Sequence, residues 1–271
     1  VDRDELYRCE CDHVRMAFTA RSAPYRVHDR TSPRGGLLLC HGFTGSPQSL
    51  RPWAEDHAAR GWAVELPLLP GHARTWQEMA RTDWTDWYGH LREAALELSE
   101  RYGPIAIGGL SMGGALTLAL GEDPRLRGRI AALVAVNPGM TLPPVARFGH
   151  LLSRVRPTMA GIADDVAKEG VHEEAYDRIP LRSVGELHRL FSRTRRHLDR
   201  VQAPLLLATS AVDHTVPPTD SDIVAAGVSG PLERLALPDS YHLAPLDHDA
   251  ERLFAASARF LDTHVPAPEA V

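Results

Sequence analysis

Lysine is nearly missing from this chain: Lys168 is the only one in 271 residues, and arginine carries the rest of the positive charge. That scarcity excludes two chemistries that need a lysine in a defined place. A P-loop holds one in a Gly-rich strand-to-helix turn and a pyridoxal enzyme uses one for its Schiff base, whereas Lys168 sits in the polar run Asp164-Asp-Val-Ala-Lys-Glu. Positive charge is not in excess either. With 30 Lys+Arg against 35 Asp+Glu, the counterion release that drives binding to a phosphate backbone has little to act on, so nucleic acid is not an expected partner. Cysteine is scarce. Cys9 and Cys11 are too close for an easy mutual disulfide, Cys40 ends an apolar run, and no second Cys-x-Cys pair completes a zinc site. Reduced structural thiols and no metal are expected. Long apolar runs are also missing: the longest, Ile130 to Val136, falls far short of the roughly 20 residues of a membrane helix. The polar start VDRDELYRCECDH has no apolar leader segment, so a cytoplasmic protein with no integral membrane segment is expected.

What is present is an alternation of short apolar runs with longer amphipathic ones, the pattern of a parallel sheet with helical crossovers. Strands are expected at Gly36 to Cys40, Trp62 to Leu66, Ile105 to Gly108, Ile130 to Val136, Leu205 to Thr209 and Leu232 to Leu237. Helices are expected at Pro47 to Arg60, Asp83 to Tyr102, Met112 to Gly121, Thr219 to Ala226 and Asp249 to His264. A doubly wound α/β domain follows. Ahead of the first parallel strand, Val14 to Ala20 and Tyr25 to His28 suggest an antiparallel edge hairpin. Between Pro138 and Arg200 the alternation breaks and no strand is evident, so residues 138–200 read as a helical insertion between core segments 1–137 and 201–271. Two apolar stripes mark it: Val145, Phe148, Leu152 and Val155, then Val184, Leu187, Phe191, Leu198 and Val201. Most of each stripe is expected to pack on the sheet domain, and a helical cap over a pocket also accommodates ligand contact. Trp84 and Trp87, at helical spacing, are expected in the core. The run Arg193-Thr-Arg-Arg-His reads as a solvated helix face.

The chemistry centres on Ile105-Ala-Ile-Gly-Gly-Leu-Ser111-Met-Gly-Gly114, which sets Gly109-x-Ser111-x-Gly113 between an apolar strand and a helix-forming segment. This is the spacing of a nucleophile elbow. A serine on so tight a turn has strained backbone angles, and its neighbours two before and two after must be nearly free of side chain.

Serine at its free pKa is a poor nucleophile, so the elbow implies a histidine base and an acid to orient it, in the order Ser, acid, His. Asp213 follows the apolar run Pro204 to Thr209, and His242 follows the next strand in Leu-Pro-Asp-Ser-Tyr-His-Leu. Both positions are carboxyl ends of strands, where open α/β sheets place ligands. Asp239 and Asp247 are the rival acids. Among 14 histidines, His248 enters the last helix and His214 would have to fold back on its own neighbouring acid, so His242 is the favoured base. Backbone donors for a developing oxyanion are expected from Met112 N–H, at the helix start, and from Phe43 N–H in His41-Gly-Phe-Thr-Gly45, with His41 as a structural histidine. Apolar residues Phe148, Leu152, Leu190 and Phe191 of the insertion are candidates to hold an acyl chain.

HGFTG, GLSMGG, the acid in DHTVP and the late histidine resemble the bacterial carboxylesterase and monoacylglycerol lipase family of α/β-hydrolases. The likeness runs from about Gly35 to Leu261 and includes Leu69-Pro-Gly-His72. It implies an α/β-hydrolase fold with a small helical cap, Ser111, Asp213 and His242 as triad, Phe43 and Met112 as oxyanion donors, and neither metal nor organic cofactor. Gly71-His72-Ala73 replaces the usual Gly-His-Gly, and Ser240-Tyr241-His242 replaces the usual Ser-Gly-His. Hydrolysis of a small-molecule acyl ester, of small to medium or monoacylglycerol type, is the expected function. A thioesterase or acyltransferase on carrier-bound chains, and a non-catalytic ligand-binding protein, are the alternatives. Epoxide and haloalkane chemistry on this scaffold uses an aspartate at the elbow, which Ser111 disfavours.

Overall fold

A computed structural model describes residues 18–28, 34–162 and 164–266. Cys9, Cys11 and most of the first half of the expected edge hairpin fall outside them. In chain order the strands are β1 (Tyr25–Val27), β2 (Gly36–Cys40), β3 (Ala63–Leu66), β4 (Ile105–Leu110), β5 (Ile130–Val136), β6 (Thr158–Ala160), β7 (Arg178–Pro180), β8 (Leu205–Ser210) and β9 (Leu232–Leu237). The helices are α1 (Arg51–Ala59), α2 (Trp76–Met79), α3 (Trp84–Tyr102), α4 (Met112–Gly121), α5 (Gly149–Leu152), α6 (Leu181–Arg195), α7 (Thr219–Gly227) and α8 (Ala250–His264).

Seven strands form one sheet in the order β1-β3-β2-β4-β5-β8-β9, parallel except for β1. The central strands are almost continuously apolar because helices cover both faces: Leu37, Leu38 and Leu39 of β2 and Leu205, Leu206 and Leu207 of β8 are fully buried. One face packs against α3, α4 and α6 through Trp87, Leu91, Leu116 and Leu190. The other packs against α1 and α8 through Trp53, Phe254 and Leu261. Edge strand β9 is more open to solvent: Glu233, Arg234 and Ala236 are exposed and only Leu237 is buried. Helix α3 starts where its sequence says it should: Asp83 accepts from Thr85 N–H and Asp86 N–H, and the Asp86 carboxylate accepts from Asp83 N–H.

Tyr25–Val27 pairs antiparallel with β3 and Ala20–Ser22 is a 3-10 turn, while residues 14–17 of the expected hairpin lie outside the described residues. Two expectations are corrected. The segment between β5 and β8 does contain strands, since β6 and β7 form an antiparallel pair. Its first apolar stripe does not pack on the sheet: Val145, Phe148, Leu152 and Val155 lie on a 3-10 turn and the single turn of α5 or just beyond, and all four are exposed. Of the second stripe, α6 carries Val184, Leu187 and Phe191, while Leu198 begins the 3-10 turn after it and Val201 caps that turn; Leu187, Phe191, Leu198 and Val201 are buried. Trp87 is fully buried and Trp84 packs against the core. Among the described residues no helix is long and apolar enough to cross a membrane.

Candidate active site

The carboxyl ends of β2, β4, β5, β8 and β9 open on one side of the sheet, and the loops that leave them enclose a cavity of about 280 Å³. Ser111 stands between β4 and α4 with φ +59° and ψ −118°, a backbone that only a constrained turn imposes on a side chain. Its amide donates to the Val136 carbonyl at 3.0 Å and its carbonyl accepts from Ala115 N–H at 3.0 Å, so the turn is tied to both β5 and α4. The two glycines of the motif are there for close approach. A Cβ on Gly109 would strike the Gly113 carbonyl, and one on Gly113 would strike the Cys40 carbonyl at the end of β2.

Asp213 and His242 meet from the loops after β8 and β9. The His242 Nδ1–H donates to Asp213 Oδ2 at 2.7 Å, with the two side chains 6% and 2% exposed. The other carboxylate oxygen accepts from Thr215 N–H at 2.9 Å and Val216 N–H at 2.7 Å. With Nδ1 committed to the carboxylate, Nε2 is the ring's free acceptor, and His242 and Ser111 line the same cavity.

The rival groups have other partners. His214 donates its backbone N–H and Nδ1–H to the Asp165 carboxylate at 2.9 and 2.7 Å, away from Asp213. Asp247 accepts from Tyr241 N–H and Ala167 N–H at 2.8 Å, from His248 N–H at 2.8 Å and from Lys168 N–H at 2.9 Å. It therefore fastens the loop carrying His242 to segment 164–168. Asp239 contributes its N–H to the Asp249 carboxylate at 2.8 Å.

Gly42, Phe43 and Thr44 line the cavity beside Ser111, and Met112 begins α4 directly behind it. Loop 41–46 is held by a buried histidine. His41 Nδ1–H donates to the Gly42 carbonyl at 2.9 Å and Nε2 accepts from Leu69 N–H at 3.2 Å. Burial, reinforced by neighbouring His72, pushes its pKa down to about 3, so His41 is neutral and bonded at both nitrogens. His72, stacked edge-on against both His41 and Trp87, is pushed down to about 4 by burial.

Leu142, Ala146, Leu152, Leu187 and Phe191 line the cavity's apolar wall. Of the four residues expected to hold an acyl chain, Leu152 and Phe191 face the cavity, Leu190 lies in the core cluster, and Phe148 is exposed beneath the Arg147 guanidinium. Besides Ser111 and His242, the polar lining is Thr44, Thr141, Asp165, Glu173 and Thr215. Burial, with the nearby Asp164 charge, pushes the Glu173 carboxyl up to about 8, so it is protonated at neutral pH. Sequence reasoning did not single out Glu173, Asp165 or the buried amide of Asn137, since no spacing rule marks a lone polar residue on an irregular segment. Among the described residues no cluster of three His, Cys, Asp or Glu is arranged to hold a metal ion.

A seven-stranded, mostly parallel sheet with a strained Gly-x-Ser-x-Gly turn at the end of β4 defines an α/β-hydrolase. Within that class the chain belongs to the Hydrolase_4 family, described as serine aminopeptidase, S33, whose profile matches residues 31–249. It is 37% identical over 230 residues to a thermostable monoacylglycerol lipase of Bacillus sp. (strain H-257), covering 84% of this chain and 91% of that protein. A carboxylesterase of Bacillus subtilis (strain 168) is 25% identical over 230 residues, covering 83% and 92%. In three dimensions the chain is similar to one from the study of LipS and LipT, two metagenome-derived lipolytic enzymes, with TM-score 0.85, 34% identity and coverage of 90% and 99%.

Proposed function

We propose that the protein hydrolyses carboxylic esters of small to medium or monoacylglycerol type, with Ser111, Asp213 and His242 as its catalytic triad. The observation that carries this reading is the buried 2.7 Å contact between His242 and Asp213 at the cavity that Ser111 also lines. Similarity to a monoacylglycerol lipase and a carboxylesterase supports the ester as substrate.

His242 Nε2 takes the Ser111 proton as Oγ attacks the ester carbonyl, and Asp213 steadies the imidazolium through Nδ1–H. The oxyanion that forms is bound by the backbone N–H groups of Phe43 and Met112, the latter at the positive end of α4. His242 then hands its proton to the departing alcohol, leaving an acyl group on Ser111. Water, deprotonated by the same histidine, attacks that ester, and collapse of the second tetrahedral species frees the acid and returns the proton to Ser111. No cofactor enters these steps. The acyl chain lies along Leu142, Ala146, Leu152, Leu187 and Phe191, while Thr44, Asp165, Glu173 and Thr215 offer hydrogen bonds to a polar alcohol. Residues 138–200 form the cap that closes this space over the core of 1–137 and 201–271. A cavity of about 280 Å³ lies just below the ~300–1,000 Å³ typical of ligand sites, which favours a short or medium chain.

Initial rates on monoacylglycerols of increasing chain length, with matched thioesters and Ser111→Ala protein as the blank, test this directly. A Ser111-dependent optimum at medium chains supports the reading; a strong preference for thioesters makes the protein a thioesterase; binding without turnover makes it a receptor.

A further inference from the structure

Asn137, the first residue after β5, is buried to 3% exposure and holds φ at +44°, in the left-handed region that asparagine tolerates better than most side chains. Its amide has every polar atom engaged. Oδ1 accepts from Ser210 N–H at 2.8 Å, and Nδ2 donates to Ser210 Oγ at 2.9 Å and to the backbone carbonyl of His242 at 2.8 Å. The Ser210 hydroxyl passes the connection on, donating to the Tyr241 carbonyl at 2.8 Å. Its backbone is tied as well: Asn137 N–H donates to the Ala208 carbonyl, Ser111 N–H donates to Val136 on one side, and Gly139 N–H on the other side donates to Ser111. One neutral side chain thus joins the end of β8, three residues before Asp213, to the loop that carries His242, from a strand end hydrogen-bonded to the Ser111 turn.

We infer that Asn137 is a positioning residue that sets the relative placement of Ser111, Asp213 and His242. The inference rests on the hydrolytic reading above and deepens it. An imidazole ring that must face a carboxylate through Nδ1 and a serine through Nε2 is placed by the backbone from which it hangs. Asn137 fixes that backbone at the His242 carbonyl itself. Glycine would satisfy the left-handed φ at this position and lose the three side-chain bonds. An ordinary side chain would strain the backbone as well. A polar network in which every member is satisfied holds one arrangement in preference to near alternatives, which is what alignment of three loops requires.

The test compares Asn137→Gly, which keeps the backbone and deletes the amide, with Asn137→Asp, which keeps the shape and places an acceptor opposite the His242 carbonyl. Three readouts are taken: kcat against KM on a soluble p-nitrophenyl ester, the pH profile of kcat/KM, and the rate at which a fluorophosphonate modifies Ser111. Both variants lower kcat about 10- to 100-fold, the scale of a reacting group displaced by about 1 Å, with KM within about threefold of wild type. In the Gly variant, where no charge has been added, the imidazolium loses part of its carboxylate support. The acid limb of the profile then moves down by up to about 1 pH unit. Phosphonylation of Ser111 slows in parallel. Ser210→Ala removes only the hydroxyl between Asn137 and the Tyr241 carbonyl; it gives a smaller loss in the same direction and serves if the Asn137 variants do not fold. Variants that melt earlier but keep the wild-type kcat, pH profile and labelling rate overturn the inference. If wild-type Ser111 reacts with the fluorophosphonate yet no ester turns over, the substrate reading fails while the labelling rates still judge Asn137. If wild-type Ser111 does not react at all, both fall.

Discussion

Individual side chains here divide into those that face the cavity and those that hold the facing ones still. Asp213 belongs to the second kind, since its buried carboxylate meets His242 Nδ1–H directly and takes no part in the cavity lining. Asp213→Asn keeps the shape but presents the wrong partner to that ring nitrogen, and a loss in kcat on the order of 10⁴ is expected, read from steady-state rates at fixed pH. Leu187 is a wall residue with cavity space in front of it. Leu187→Phe should move the chain-length optimum to shorter acyl groups, with at least about 10-fold lower kcat/KM on the longest wild-type substrate. An unchanged chain-length profile would place the acyl group elsewhere. His41 belongs to the second kind, and its two ring bonds and depressed pKa explain why a histidine at the start of loop 41–46 takes no proton. The GxSxG spacing made Ser111 legible in the sequence because strain at a turn demands particular neighbours. Asn137 and Asp247 were not legible in their present roles, because each acts on backbone groups supplied by distant segments.

Elements whose sequence carries a long apolar run or a strong period were read well, and those with neither were not. Helices α3, α4, α6 and α8 and strands β2, β4, β5, β8 and β9 have apolar patterns long enough to mark their type. Strands β6 and β7 have only three residues each, and β7 ends in Pro180, so no alternation announces them. The stripe from Val145 to Val155 has helical spacing, yet only short 3-10 and α turns form there; Val145 and Leu152 line the cavity while Phe148 and Val155 are exposed. Two element contacts carry predictions. Gly113→Ala pushes α4 off the Cys40 carbonyl at the end of β2 and should destabilise the fold by about 1–3 kcal/mol or more, measured by urea unfolding. Asp247→Ala leaves four N–H groups of two segments without their acceptor, at a cost of at least about 2 kcal/mol. Hydrogen exchange should rise together at 167–168 and 241; if only one of the two responds, Asp247 does not couple them.

For the molecule as a whole, four buried groups shape stability against pH. Glu173 and Glu122 are raised to about 8 and about 7 by burial, Glu122 against the partly opposing Arg193. Their favourable contribution is complete below the unfolded carboxyl pKa and is lost as pH rises through those values. His41 and His72, lowered to about 3 and about 4, contribute stability that is present above the unfolded histidine pKa and lost as pH falls. Between roughly pH 4.5 and 6.5 the two pairs oppose each other, so the melting temperature should be flat there and fall on either side. Glu173→Gln should weaken the alkaline fall; a steep slope within the plateau would contradict the assignment. In the proposed hydrolysis one serine at the end of β4 does the chemistry. Titrating the protein with a fluorophosphonate while following monoacylglycerol hydrolysis, and locating the modification by peptide mass, tests this at its root. One equivalent on Ser111 should abolish turnover, and Ser111→Ala protein should neither label nor hydrolyse. Modification at another residue with loss of activity, or wild-type hydrolysis by Ser111→Ala, would contradict it.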